Sequence, residues 1–376
     1  AVASNAIGPG QRIIYDLALT ADRPVYFDAL EGTGLSWSLL GPRGTVVADR
    51  SFSISDASFS GSPQLDLVAG DYTLIVEPNS SAPPQTVSLR LLDLSQAQTL
   101  PPGTPISGVL DPARATDSYQ FSATAGEQFF FDVQSSVNAE AKLLDPSGNV
   151  VFDQFSFSDQ DVFTLSRTGV YTLLIEGRLS NSAATVSYDF TLQRIADDNL
   201  TLTLDATTNG AIDHAGQRDH YTFTLAADSQ LYFDALTNLS TLRWSLSGPR
   251  GSVVENRSFT SSDATLTGTP MLDLVSGDYT LTIDGILDAQ GAYAFNLLDV
   301  AAGAVITPGT VVSGNLDPAN STAVYRFDAT EGDQFLFERR TLTGSTPRWR
   351  LLDPFGQLVF GSRTFSDITP ATTLNF

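Results

Sequence analysis

Carboxylates are the one reactive group this sequence holds in quantity. Asp and Glu number 42, against two His and no Cys in 376 residues. Acid–base catalysis, calcium coordination and backbone capping are the three things such groups can do. Their placement favours the third. Asp111 and Asp317 stand in "LDP" and Asp145 and Asp353 in a second "LDP", while Asp56, Asp159, Asp263 and Asp367 fall in a recurrent Ser-Asp loop. Each is expected to cap the backbone N–H groups of a turn. A calcium reading is sharpest at Asp111 and Asp117, which lead into Tyr119, and at Asp213 and Asp219, which lead into Tyr221. The first unit has Gly8 and Ile13 at those places, and no D-x-D-x-D-G loop exists, so no metal ligand and no certain cofactor is assigned, calcium remaining the one candidate.

The histidines, His214 and His220, lie in one region, and the repeat counterparts of His220 are Ile14, Ser118 and Val324. A zinc site or a catalytic triad needs convergent partners; a solvated surface histidine does not. Without Cys, thiol catalysis and Cys-type metal sites are excluded. No G-x-S-x-G, P-loop or G-x-G-x-x-G occurs, so no catalytic residue is nominated. Trp37, Trp244 and Trp349 occupy equivalent strand positions and read as core aromatics before ligand platforms. Net charge is −22, and Lys142 is the only lysine among 20 basic residues. Such a surface repels nucleic acid and anionic lipid. No apolar run is long enough to span a membrane. Sequons at Asn79, Asn199, Asn238, Asn256 and Asn320 matter only where a host glycosylates exported protein.

The elements that position these residues recur. "LVAGDYTL" at 67–74 returns as "LVSGDYTL" at 274–281, 207 residues on (274 − 67), and "YFDAL" at 26–30 returns at 232–236. A second series interleaves: "SGVLDP" at 107–112 returns as "SGNLDP" at 313–318. The two series align with each other at half the distance, "LLGPRG" on "LLDPSG" and "AGDYTL" on "TGVYTL". The order is A-B-A′-B′: A over 1–98, B over 99–198, A′ over 199–303 and B′ over 304–376. A period of that length matches whole domains rather than solenoid repeats.

Within A′, "HYTFTL", "QLYFDAL", "LRWSLSG" and "DYTLTIDG" alternate apolar with polar residues and end at Gly, Asp, Asn or Ser. Tyr221, Phe223 and Leu225 share one face, as do Tyr279, Leu281 and Ile283. About eight such strands per unit, with no amphipathic helix, predict an all-β chain of four tandem antiparallel, jelly-roll-like β-sandwiches. "GPRG" and "DPSG" carry the Pro and Gly of a type I turn, and Gly70, Gly169 and Gly277 suit a turn needing positive φ. "PPG" at 101–103 and "TPG" at 307–309 are expected to stiffen interdomain links. B′ aligns only as far as "TPATTLNF", two strands short. It reads as the end of a window cut from a longer array, or as a sandwich completed by a neighbouring copy.

"SGVLDPARATDSYQFSATAGEQFFFDV", "AKLLDPSGNVVF" and "LSRTGVYTLLIEG" in B resemble the bacterial pre-peptidase C-terminal (PPC) domain. The shared elements are a G-x-L stretch, D-x-Y-x-F, an A-G-x-x-hydrophobic strand, an L-x-D-P-x-G turn and a final G-x-Y-x-L strand. B′ keeps them until it stops, while A and A′ diverge, with "GPRG" for "DPxG". The resemblance implies β-sandwiches of secreted or surface-exposed bacterial proteins, non-catalytic where they accompany enzymes. Four in tandem imply a structural or adhesive segment of a large extracellular or cell-surface protein, extended as a rod or fibre. Its partners would be other copies or repeats of the same protein, or cell-surface and matrix polymers, with no nucleic acid and no membrane insertion. The alternative is an accessory module that presents a secreted hydrolase to a glycan or protein polymer.

Overall fold

In the computed structural model, residues 2–52, 61–79, 83–261 and 270–375 are described. Asp56 and Asp263 fall outside them. The chain divides into two compact units, Ala1–Ile195 and Ala196–Phe376.

In the first unit, A supplies eight strands: β1 (Val2–Ile7), β2 (Ile13–Leu19), β3 (Arg23–Glu31), β4 (Leu35–Gly41), β5 (Gly44–Ser51), β6 (Gln64–Leu67), β7 (Gly70–Pro78) and β8 (Gln85–Asp93). They form two four-stranded sheets, ordered β1-β8-β3-β6 and β2-β7-β4-β5. Consecutive strands thus mostly alternate between sheets and every pairing is antiparallel, which is the jelly-roll arrangement. Period-two alternation drives it: Val25, Phe27 and Ala29 face inward from β3 and Tyr72, Leu74 and Val76 from β7, closing one apolar core.

B repeats the plan with β9 (Gln98–Thr99), β10 (Ile106–Leu110), β11 (Thr116–Ala123), β12 (Gln128–Val133), β13 (Ala139–Leu144), β14 (Val150–Gln154), β15 (Gln160–Thr164), β16 (Gly169–Gly177) and β17 (Val186–Arg194). Its sheets run β10-β17-β12-β15 and β14-β13-β16-β11-β9, around a core rich in Phe and Tyr. In the second unit, A′ has the same two sheets and its own core. B′ holds three two-stranded pairings: Ala304–Val305 with Tyr325–Arg326, Gln334–Phe337 with Ile368–Thr373, and Arg348–Leu352 with Leu358–Thr364.

The link segments do more than stiffen. Gln98–Thr99 pairs in parallel with β11, and Leu100 N–H donates to Gln120 O at 2.7 Å. Asp198–Thr201 and Ala304–Val305 pair in the same way, with Leu202 N–H on Thr222 O and Ile306 N–H on Arg326 O. Each entering segment is therefore a hydrogen-bonded edge strand of the sandwich it leads into. Leu100 is buried in the core of B.

Two recurrent motifs turn out to be one contact. Gly70, Gly169 and Gly277 adopt φ of +143°, +152° and +140°, and each lies under the proline of the preceding turn. A Cβ there would come within 2.3, 2.7 and 2.4 Å of Pro42, Pro146 and Pro249 Cγ respectively. The "GPRG" or "DPSG" turn and the "GDYTL" strand are hence coupled in every complete sandwich. Gly70→Ala should lower the stability of the first unit by roughly 1–3 kcal/mol through combined backbone strain and overpacking, read as a drop in thermal unfolding midpoint.

Candidate functional site

The D-x-Y acids Asp117 and Asp219 are engaged with tyrosines inside the sandwiches. In B, Tyr188 of β17 donates to Asp117 Oδ2 at 2.6 Å, and Tyr119 OH lies 2.6 Å from Tyr188 OH. With the Tyr188 proton committed to the carboxylate, Tyr119 must donate to Tyr188. In A′, Tyr293 donates to Asp219, Gln217 Nε2 donates to the same carboxylate at 2.8 Å, and Tyr221 OH is 2.8 Å from Tyr293 OH. The chain of bonds ties one sheet to the other through the core. Burial pushes the Asp219 carboxyl up and the Tyr188 and Tyr293 phenols up further, the neighbouring Asp adding to the latter. Gly108 and Gly210 make room, since a Cβ would meet the Tyr188 and Tyr293 side chains within 2.5 Å. In A, Ile13 and Val87 stand at the Asp and second Tyr positions, and Asn5 Nδ2 donates instead to Tyr15 OH at 2.9 Å.

The turn acids behave as capping groups. Asp145 Oδ1 accepts from Ser147 and Asn149 N–H, and Asp353 Oδ1 from Phe355 and Gln357 N–H. Asp145 is held below the usual carboxylate range by the Asn149 and Ser147 bonds and by Arg167, although burial opposes them. Asp159 caps Val133 N–H and Asp367 caps Arg339 N–H, each from the residue before a strand to the end of the strand it pairs with. Asp111 and Asp317 are exposed residues preceding cis prolines, and Asp213 is exposed. Among the described residues, no three His, Cys, Asp or Glu side chains gather so as to hold a metal. His220 is half-buried rather than free in solvent, with Thr282 Oγ1 at 3.0 Å and Asp197 Oδ2 at 3.4 Å; His214 faces Ala215 O at 3.4 Å. Trp37 and Trp244 are buried and stacked on Phe27 and Phe233 at 4.0 and 4.1 Å, and Trp349 packs edge-on against Phe337.

The unusual chemistry lies where the sandwiches of one unit meet. Asp28, on the outer face of β3, is fully buried. Its carboxylate accepts from Thr116 Oγ1 of B at 2.9 Å and from Arg90, whose guanidinium also reaches Thr116 O. Burial still holds the Asp28 carboxyl above its ordinary value. Beside it Tyr26, Leu94, Leu144 and Leu174 form a separate apolar cluster. The second unit builds the same joint. Asp234 accepts from Thr322 Oγ1 at 2.8 Å and Thr322 N–H at 3.1 Å, and Asn296 Nδ2 replaces the arginine at 2.8 Å. Both aspartate–threonine pairs are 88 residues apart. Asn320 Nδ2 donates to Leu236 O, where Arg114 points at Leu30 O in the first unit.

On the same outer face of B, Thr116, Glu176 and Glu140 lie side by side across β11, β16 and β13. Both glutamates are fully buried. No protein donor among the described residues hydrogen-bonds Glu176, and Glu140 has Arg178 Nε at 3.1 Å as an ion-pair partner. Burial raises Glu140 to about 7, with Arg178 opposing and Asp153 adding, and raises Glu176 to about 8. The equivalents are Ser36 and Glu77 in A and Arg243 and Asp284 in A′, so the acid pair is peculiar to B.

No family model matches the chain, and no curated protein matches it. Among solved structures, the Aeromonas hydrophila PliG, a periplasmic inhibitor of g-type lysozyme, aligns at 16% identity over 26% of this chain and 97% of its own, TM-score 0.22. The Salmonella Typhimurium PliG aligns at 22% identity over 26% and 97%, TM-score 0.23. The CUB1-EGF-CUB2 domain of human MASP-1/3 aligns at 8% identity over 51% and 99%, TM-score 0.17. Likenesses this slight carry no functional argument.

The joint was missed from sequence, although the repeated "YFDAL" string contains Tyr26 and Asp28. An acid two places from an aromatic on the outward side of an alternating strand was the available signal. The buried acids fix a pH dependence. Glu140 and Glu176 hold their protons more tightly folded than unfolded, so their contribution to stability falls as pH rises from about 4.5 through about 7 and about 8, and is flat above. Glu140→Gln with Glu176→Gln should remove that slope, a difference on the order of a few kcal/mol, in thermal melts between about pH 5 and about pH 9.

Proposed function

We propose that the chain is a non-catalytic structural or adhesive repeat segment, PPC-like in pattern, of a large exported bacterial surface or matrix protein. The observation that carries the reading is the duplicated joint. Asp28 with Thr116 and Asp234 with Thr322 lock one sandwich to the next in the same way twice. A reaction centre needs a singular constellation open to substrate. Here the shifted carboxylates are enclosed between sheets, and the turn acids are engaged with backbone N–H groups. Scaffolding needs the opposite: a repeated, closed seam whose aspartate is hydrogen-bonded from both sandwiches and so fixes relative orientation.

The acidic composition agrees with an exposed, hydrated setting. Copies of the same protein and extracellular polymers are the partners this reading names.

Asp28→Ala would strand Arg90 and Thr116 in the seam, lowering the stability of the first unit by roughly 3 kcal/mol and admitting protease to the 94–104 segment. Unchanged melting and unchanged cleavage would remove the basis for a rigid seam. The purified chain should turn over no ester, glycoside or peptide probe, and any retention on a glycan or collagen matrix should survive each single surface substitution. Retention abolished by one surface substitution would establish the accessory module instead. Turnover lost on changing a single carboxylate would establish an enzyme.

A further inference from the structure

Lys142 is the only lysine in the chain, and it is fully buried. It stands on the outer face of β13, two places from Glu140 and two from Leu144, which packs with Tyr26, Leu94 and Leu174. Asp153 of β14 is its direct cross-strand partner, and Lys142 Nζ lies 3.3 Å from Asp153 Oδ2. Lysine is almost never buried to this degree unless its amine is engaged. An amine and a carboxyl held at contact in a dry setting are the two reactants of an amide. Groups fixed in this way react as though present at about 10⁵ M or more, which offsets the tendency of water to hydrolyse the product.

Amide formation also needs a group that moves a proton, and Glu140 is placed to do so. It is fully buried on the same face, and neither of its carboxyl oxygens accepts a hydrogen bond among the described residues. Burial lifts its carboxyl to about 7; Arg178 opposes, and Asp153 and Lys142 are the next charges that act on it. A carboxyl of that proton affinity can take a proton from an ammonium and pass it to a carboxylate near neutral pH. Glu176 stands opposite Glu140 on β16, and burial lifts it to about 8, so it stays largely protonated there. The reactive pair belongs to B alone. A has Ser38 and Asp49 at the two places and A′ has Ser245 and Asn256, each tied by an N–H to Oγ bond of 2.9 Å.

We propose that Lys142 and Asp153 join in an intramolecular isopeptide bond, formed by the folded sandwich itself. Glu140 relays one proton from the Lys142 ammonium to the Asp153 carboxylate, leaving an amine and a carboxylic acid. The Nζ lone pair attacks Cγ, and the C–N bond forms. The Cγ–OH bond then breaks, and the departing hydroxide takes a second proton from Nζ and leaves as water. In sum, an ammonium and a carboxylate become an amide and one water, with no oxidant or cofactor. The Asp153 side chain, 35% exposed, gives that water a way out. The bond fastens β14, the outermost strand of its sheet, which is otherwise paired on one side only. It rests on the placement of these three side chains and not on the scaffold reading.

Intact-mass spectrometry of the denatured full chain tests it. The wild type should weigh one water less than its sequence requires. Trypsin should fail to cut after Lys142 and leave peptide 115–167 whole, and an amine-reactive label should find no lysine to modify in the unfolded chain. Lys142→Arg and Asp153→Ala should each restore the full sequence mass. Glu140→Gln, which keeps both reactants, should slow water loss after refolding at least about a hundredfold. Full sequence mass in the wild type with ready cleavage after Lys142 would overturn the bond and leave an ion pair, a reading that needs no variant to fold. A missing water with Lys142 still cleaved would place the loss elsewhere and overturn it equally. A Glu140→Gln chain that loses water at the wild-type rate would overturn the proton relay.

Discussion

A carboxylate without solvent, set between two sandwiches, is the constraint on which the architecture turns. Asp28 and Asp234 can be buried only because threonine from the following domain, and arginine or asparagine from their own sheet, supply donors in fixed positions. Each domain alone would leave that carboxylate open to water; together they leave it dry and fully bonded. Such a seam is selective about orientation, since a small rotation would break hydrogen bonds that no water replaces. Apolar packing of Tyr26 on Leu94, Leu144 and Leu174 adds adhesion without that directionality.

The repeats show which parts of the plan are tolerant. Inside the sandwiches, the aspartate–tyrosine–tyrosine tie of B and A′ becomes an asparagine–tyrosine bond in A. Polar satisfaction is retained while the residues change. The glycine–proline contact behind the "GDYTL" strand is not exchanged, because it depends on a missing Cβ. On the outer faces the chemistry diverges most: an exposed Arg12–Glu77 pair in A, a dry Glu140–Glu176 pair in B, and an Arg218–Asp284 pair in A′. Divergence concentrated on outer faces is what a chain of linked modules requires, since those faces decide which neighbour fits.

The distribution of titratable groups follows the seams and the cores. The acids with raised proton affinity are enclosed between sheets or within cores, and the tyrosines with raised values hold sheets together. The perturbed titration has burial and mutual hydrogen bonding as its causes. The same physics makes the first unit lose stability as pH rises, through Glu140 and Glu176 of B and Asp28 of A.

Period-two alternation in "HYTFTL" or "GDYTLTI" determined the strands, and the recurrence of "LLGPRG" and "LLDPSG" determined the repeated plan, because inward-facing residues and turn residues act locally. The sequence likewise marked Asp145 and Asp353 as caps, a role decided within four residues. It did not reveal that the same "YFDAL" string supplies both a core phenylalanine and a seam aspartate, nor that Asp117 belongs with a tyrosine 71 positions away. Nor did it show Glu140 beside Glu176, or the links as edge strands. Those pairings arise only when distant strands are brought edge to edge and one sandwich dries the face of another. Burial of a polar group is a property of that assembled surface, and no spacing along the chain encodes it.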